Sequence, residues 1–573
     1  MQEESRTPIQ PANRDWLAAL LLRQPDPFLT RLAAGYARLR LMPRRWRGRI
    51  QRRAAASVTA AALLLAMAGT PLLVPTLHAA TITVDDGMVD YADDGYCSLR
   101  EAFHNAGADG QMFSSPGECG PGIGDDVIVL PAGGDFVFEH FLDNSPYGQV
   151  GLIVANSTLS IEGNGSTIRR DPTSDEAFGI LVVFNADLTL RDVTLTGGKA
   201  DFGGGILSVD SDVRLFDSTI SNNEASVAAG GVLSYLGDLH ISGSTISNNY
   251  AYRYGGGITM SSGTLEVVNS TISGNSAGAA AGIGIALPFS NPDEPTHATL
   301  TNSTVTGNDA TEIVGGIAVL PPATLTINHS IISGNTAQGE NPRGTEIYNV
   351  DYSTPIYSLY SVFGDAGKSD EEAFYNFAPS GSSRNATSDG ANIPLGDILN
   401  PTLADNGGPT LTHALVPGSP AIDIDATGPA TDQRGVTRPQ GAGYDAGAFE
   451  LEAPVSQYDF TGFFAPVDSP PLVNRAKAGS AIPVKFSLGG DFGLDILAAG
   501  SPGSVTVGCE GGTPADAIEE TVKAGSSSLQ YDPATGVYTY VWKTDKKWAN
   551  SCRQLQLTLS DGSVYVADFK FAK

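Results

Sequence analysis

Five segments in the middle of the chain nearly superimpose, and their spacing leaves few folds open. They are Asp217-Ser-Thr-Ile-Ser-Asn-Asn223, Gly243-Ser-Thr-Ile-Ser-Asn-Asn249, Asn269-Ser-Thr-Ile-Ser-Gly-Asn275, Asn302-Ser-Thr-Val-Thr-Gly-Asn308 and His329-Ser-Ile-Ile-Ser-Gly-Asn335, with starts 26, 26, 33 and 27 residues apart. A second marker runs between them: Gly203-Gly-Gly-Ile206, Gly230-Gly-Val232, Gly255-Gly-Gly-Ile258, Gly282-Ile283 and Gly315-Gly-Ile317. A fixed period of this length is the signature of a solenoid, in which each unit is too small to bury its own apolar face and stacks on its neighbours.

The apolar residues say which solenoid. Leu188/Leu190/Leu195, Val213/Leu215/Ile220, Leu239/Ile241/Ile246, Leu265/Val267/Ile272 and Leu325/Ile327/Ile332 each follow an i, i+2, i+7 pattern. An i, i+2 pair places two side chains on one face of a strand, with Arg214, His240 and Glu266 facing water. The i+7 residue returns inward after a turn. Short parallel strands stacked about 4.8 Å apart follow, an all-β parallel β-helix. The 67 glycines and the many Ser, Thr and Asn residues suit tight turns and disfavour long helices.

The terminal Asn of each repeat, Asn223, Asn249, Asn275, Asn308 and Asn335, is expected to stack at one corner. Asn tolerates the left-handed backbone that a sharp corner needs, and stacked amides can hydrogen-bond from coil to coil as an Asn ladder. Asn-Ser-Thr triplets at 156, 269 and 302 match a glycosylation sequon, but Ser-Thr recurs where no Asn precedes it, so they are read as repeat grammar.

Charge is uneven along the chain. Residues 1–80 carry 12 Arg against 4 Asp and Glu; subtracting that +8 from the chain's −28 leaves −36 on residues 81–573. So acidic a surface repels nucleic acid and anionic membranes, which excludes both as partners of the folded part. Residues 1–80 read as an export segment. A basic block, Arg44, Arg45, Arg47, Arg49, Arg52 and Arg53, precedes an apolar stretch from Ala54 to about Val74, and Leu77-His-Ala-Ala80 supplies small residues for a signal peptidase. The stretch is nearly long enough to span a bilayer, so the membrane is a partner only if this segment stays uncleaved. Met42 would open such a signal by itself, which makes it an alternative start.

All four cysteines lie after residue 80, in two local pairs without C-x-x-C spacing. Zinc is disfavoured, and disulfides Cys97–Cys119 and Cys509–Cys552 formed in an oxidising compartment are the expectation.

At Cys97-Ser-Leu-Arg-Glu-Ala102, with Ile82-Thr-Val-Asp85 before it and Asp126-Val-Ile-Val-Leu-Pro-Ala-Gly133 after it, the chain resembles the CSLREA domain of bacterial surface proteins. The resemblance implies that residues 81–135 start a β-helix, with a short helical run from Leu99 to Ala106 capping the open end of its apolar column. The repeats in 136–399 resemble pectin-lyase-like β-helices and polymorphic outer-membrane-type proteins, from which right-handedness is implied. A long irregular loop at 337–395 interrupts them. Residues 400–453 resemble a choice-of-anchor Q region through Asn406-Gly-Gly-Pro409, Gly418-Ser-Pro-Ala-Ile-Asp423, Asp432-Gln-Arg-Gly435 and Gly447-Ala-Phe-Glu450. That resemblance implies the end of the β-helix. After a Pro-rich boundary, residues 457–573 are similar to the PxKF domain through Pro483-Val-Lys-Phe486 and Trp542-Lys-Thr-Asp545, which implies a small Ig-like β-sandwich.

Candidate chemistry is sparse. Tyr250, Tyr252, Arg253 and Tyr254 form an aromatic-basic turn that could stack a sugar ring, or an ordinary exposed loop. Asp423, Asp425, Asp432, Asp445 and Glu450 either gather around one calcium ion or cap the last coil. His240 and His329 are read as inert surface histidines. Lys199, Arg214 and Arg253 stand as isolated bases, no catalytic residues are assigned, and no other cofactor is expected. Two functions stay open: a non-catalytic adhesion or glycan-binding module for extracellular polysaccharide or a surface protein, and a polysaccharide lyase or glycoside hydrolase with a diverged site in the 337–395 loop.

Overall fold

The computed structural model describes residues 79–142, 148–286, 295–339, 343–352, 354–452, 458–498, 500–509, 516–517 and 529–573. The basic block, the apolar stretch and Met42 lie outside them. Among the described residues no helix is long and apolar enough to cross a membrane. The chain divides into two compact units, Met1–Leu451 and Glu452–Lys573.

One coil explains the first unit. Val232–Tyr235 belongs to a nine-stranded parallel sheet, B. Leu239–Ser242 and Thr245–Ser247 are two legs of the longest sheet, A, and Tyr250–Tyr254 belongs to a six-stranded sheet, C. Ile258 then lies in register above Val232, one coil later. Each corner of this coil holds a left-handed residue: Leu236 at φ 61°, Gly243 at 63°, Asn248 at 54° and Gly255 at 63°. The i, i+2, i+7 residues point inward; Leu239, Ile241 and Ile246 are buried and pack in one column with their equivalents from every coil.

The corner that closes each repeated segment departs from expectation. The ladder asparagines do not take the left-handed conformation; the residue before each one does, at Asn222, Asn248, Gly274, Gly307 and Gly334. This accounts for the Asn/Gly alternation at that position, since these residue types reach the conformation most cheaply. The ladder residue itself contributes only its amide. Nδ2 of Asn223, Asn249, Asn275 and Asn308 each donates to Oδ1 of the next Asn, at 3.0, 3.0, 2.9 and 2.8 Å. The Gly-Gly marker belongs to the same corner: a Cβ on Gly257 would sit 2.7 Å from the Gly282 carbonyl oxygen and 3.0 Å from the Asn275 amide nitrogen.

Helix α1, Leu99–Ala108, caps one end of the column. Its N-terminus is a capping box of Ser98 and Glu101, and Leu99, Ala102, Phe103 and Ala106 face the core. Cys97–Cys119 bridges the chain on either side of it. At the far end Phe363, Phe374 and Phe377 meet as an aromatic trio. The expected loop at 337–395 is therefore corrected: Ile347–Asn349, Ile356–Leu359, Val362–Phe363 and Phe374–Tyr375 continue sheets A and B. Its polar spacing hides the pattern because the strands are short.

Residues 400–451 do not simply end the stack. They run back along the flank of sheet A as a strap. Thr245 Oγ1 donates to the Leu411 carbonyl at 2.7 Å, Thr271 Oγ1 to Gln433 Oε1 at 2.6 Å, and the Ala448 N–H to Thr304 Oγ1 at 3.0 Å. Beneath the strap the Asn269 and Asn302 amides donate to the Thr431 and Asp445 carbonyls. These two sequons are thus engaged by the fold.

In the second unit, sheet D comprises Thr461–Phe464, Ala481–Ser487, Val537–Lys543 and Leu529–Asp532. Sheet E contains Gly503–Val507, Cys552–Thr558, Val564–Ala572, Val473–Lys477 and Asp516–Ala517, with Val473–Lys477 running parallel to the last strand. Ile482, Val484 and Trp542 of D pack with Leu555, Phe569 and Phe571 of E, so the two sheets share a core. Cys509–Cys552 is also bonded.

Candidate functional site

Sheet C is the six-stranded wall that contains Tyr250–Tyr254. Its inward face is a column of small residues, Ala225, Ala251, Ala277 and Ala310, which brings this wall close to the core. Outward, successive strands present Lys199 and Asp201, then Glu224 and Ser226, then Tyr250 and Tyr252. The register pairs Lys199 with Glu224 and Glu224 with Tyr250, and places Ser226 beside Tyr252.

The aromatic-basic segment is a strand and not a turn. Tyr250 and Tyr252 are 41 and 65 % exposed, and a register shift between Ala251 and Tyr254 leaves Arg253 exposed as well. Tyr254 is the correction. It is 4 % exposed and packs with Phe202, Leu207, Ala228 and Leu233 in the corner between sheets C and B, so it is withdrawn from any stacking surface. Burial pushes its phenol pKa up.

A pocket of about 240 Å³ opens between sheets C and B, with Glu224 and Ser226 of its rim on the strand next to the tyrosine pair. Val182, Phe202 and Leu207 make an apolar floor; Gln149, Lys199, Asp201, Glu224 and Ser226 make a polar rim. Lys199 Nζ lies 2.9 Å from Glu224 Oε2, and Ser226 Oγ donates to Asp201 Oδ1. Apolar floor, convergent acceptors and a single ammonium form an arrangement suited to a small polyhydroxylated ligand.

The acidic set of the strap comes together, but around nitrogen donors. Asp432 accepts from the Arg434 side chain at 2.9 Å and from the Glu450 N–H at 3.0 Å. Glu450 accepts from Arg438 at 3.1 Å and from the Asp445 N–H at 3.0 Å. Asp445 accepts from the Asp423 and Leu451 N–H groups, and Asp423 from Gly443. Asp425 lies 2.8 Å from His329 Nε2. Among the described residues no group of three His, Cys, Asp or Glu side chains could hold a metal ion. Buried guanidinium and peptide N–H groups take up lone pairs that a cation would need, an arrangement in keeping with the alternative reading of these residues as a cap on the last coil.

His329 also stacks on Tyr360, and His240 lies 2.9 Å from Glu266. Within 337–395 the half-buried Lys368 lies between the buried carboxylates of Glu346 and Asp365. Burial opposes the Lys368 ammonium, but the two carboxylates outweigh it and hold its pKa above the usual value.

Sequence reasoning missed a second ladder. The peptide N–H groups of Ser218, Ser244, Ser270, Ser303 and Ser330 each donate to the hydroxyl of the serine one coil on. The signal was present, as Ser in the second position of all five segments. The pocket was missed too, because Asp201 and Glu224 fall outside the repeated letters.

A family model described as "Right handed beta helix region" matches residues 178–356. The first unit is a right-handed parallel β-helix. No curated protein and no solved structure matches the chain. The matched stretch contains most of the pocket and all of the tyrosine pair, so the site belongs to the repeat body of the β-helix.

Proposed function

We propose that this chain is an exported cell-surface or secreted protein whose β-helix binds an extracellular polysaccharide without cleaving it. The observation that carries the reading is the outer face of sheet C, where two exposed tyrosines adjoin a pocket with an apolar floor and a polar rim. Tyr offers a flat apolar face with a polar tip at small entropic cost, which suits the alternating apolar faces and hydroxyls of a sugar chain. Export is supported by the signal-like segment and by two disulfides. The CSLREA, choice-of-anchor Q and PxKF resemblances support a bacterial surface protein with an Ig-like tail.

The experiment is a glycan array probed with the exported chain, alongside a release assay on the same polysaccharides. Retention without release of unsaturated or reducing ends is the expected result. Release would make the chain an enzyme, and no retention of any glycan would overturn the reading.

A further inference from the structure

We infer that the site on sheet C selects a neutral sugar chain lying along the coil stack, with one residue in the Phe202 pocket and a following residue on Tyr250 and Tyr252, and that it discriminates against uronate polymers. The inference rests on the glycan-binding reading and adds to it the class and direction of the ligand.

Direction follows from register. Pocket and tyrosines occupy successive strands Lys199–Phe202, Glu224–Ala228 and Tyr250–Tyr254, so the line joining them runs up the stack and across the strands. Two coil steps make about 10 Å. A monosaccharide cannot reach both features, whereas an oligosaccharide can. Glu224 stands opposite Tyr250, so a polar acceptor lies at the junction between the two subsites.

Class follows from charge. The pocket holds the carboxylates of Asp201 and Glu224 against one ammonium, Lys199, which Glu224 already engages. Farther along the same face stand Asp309 and Glu312, with Arg253 the opposing charge beside the tyrosines. The chain as a whole carries −28. A uronate entering the pocket would bring its carboxylate against two others under a field of the same sign. Sugar hydroxyls would instead donate to Asp201 and Glu224 in charge-assisted bonds, while the ring's apolar face covers Val182, Phe202 and Leu207.

The test is calorimetric titration of the whole chain with cellohexaose, mannohexaose, maltohexaose and hexagalacturonate, repeated with Asp201→Ala and Tyr252→Ala. Both residues are exposed, so a thermal melt should show the variants folded. A neutral hexasaccharide is expected to bind more tightly than hexagalacturonate and more tightly than its own monosaccharide, with each variant about tenfold weaker. Preference for hexagalacturonate, or neutral binding that both variants leave unchanged, would overturn this inference while leaving the glycan-binding reading intact. Absence of binding to every hexasaccharide would overturn both.

Discussion

Asn335 Nδ2 donates to Glu346 Oε2 at 2.6 Å, and at this bond the Asn ladder changes chemistry. Each earlier asparagine passes its amide N–H to another amide. The last passes it to a fully buried carboxylate, whose charge Lys368 answers at 2.7 Å. A ladder of donors must end on an acceptor that needs no further partner above it, and a carboxylate meets that need.

Glu346→Ala should therefore cost more than the loss of one hydrogen bond. It leaves the Asn335 amide without its acceptor and removes one of two carboxylates from a half-buried ammonium, a change on the order of 3 kcal/mol. Urea denaturation of the whole chain would show a lower midpoint, partly restored in Glu346→Ala/Lys368→Met. An unchanged midpoint would mean that the ladder needs no terminus.

Within the ladder, the amide and the corner are separable. Asn275→Ala strips the Asn249 amide of its acceptor and leaves the Ile246 carbonyl without its donor at 2.9 Å, costing on the order of 3 kcal/mol. Asn248→Gly keeps the left-handed corner and should shift the denaturation midpoint little. Equal effects would show that corner and amide are not divided between neighbouring residues.

The Cys97–Cys119 bond joins cysteines 22 positions apart around α1, and losing it should cost about 3 kcal/mol. In Cys97→Ser/Cys119→Ser, amide hydrogen exchange should rise first in Leu99–Ala108, while central coils near Ile246 stay protected. Uniform loss of protection would mean that the cap and the coils unfold as one.

Two carboxylates of the strap give opposite pH dependences. Burial pushes Asp445 up to about 6, so the fold binds its proton more tightly than the unfolded chain, where about 4 applies. Its contribution to stability is full below about 4 and declines as the pH rises to about 6. Asp425 is held below its ordinary value by its hydrogen bond to His329, so its contribution is present above about 4 and is lost as pH falls through the lowered value. Between pH 4 and 7, the thermal midpoint of Asp445→Asn should fall less with rising pH than that of the parent chain. Parallel curves would contradict this.

Much of the first unit was legible because a solenoid is locally encoded. The inward set Leu239, Ile241 and Ile246 and the ladder Asn249 follow from a period that any one coil repeats. The outward residues of sheet C were only half legible. Tyr250 and Tyr252 stood out by type, yet nothing in the letters separated them from Tyr254, whose inward turn depends on the register shift beside it. Asp201 and Glu224 became a site only when the corner between two sheets put Phe202 and Leu207 beneath them.

By itself the sequence determined the coil and the ladder, because each is a contact between residues one period apart. The tertiary structure alone decided where the strap lies, which partners hold its acidic residues, and which face of sheet C is open. Gln433 reaches Thr245 across 188 residues, at 2.9 Å, and no period links them. Contacts of that kind are selected by shape and by unmet hydrogen bonds once the coils exist, so they leave no repeat for a reader of the chain to find.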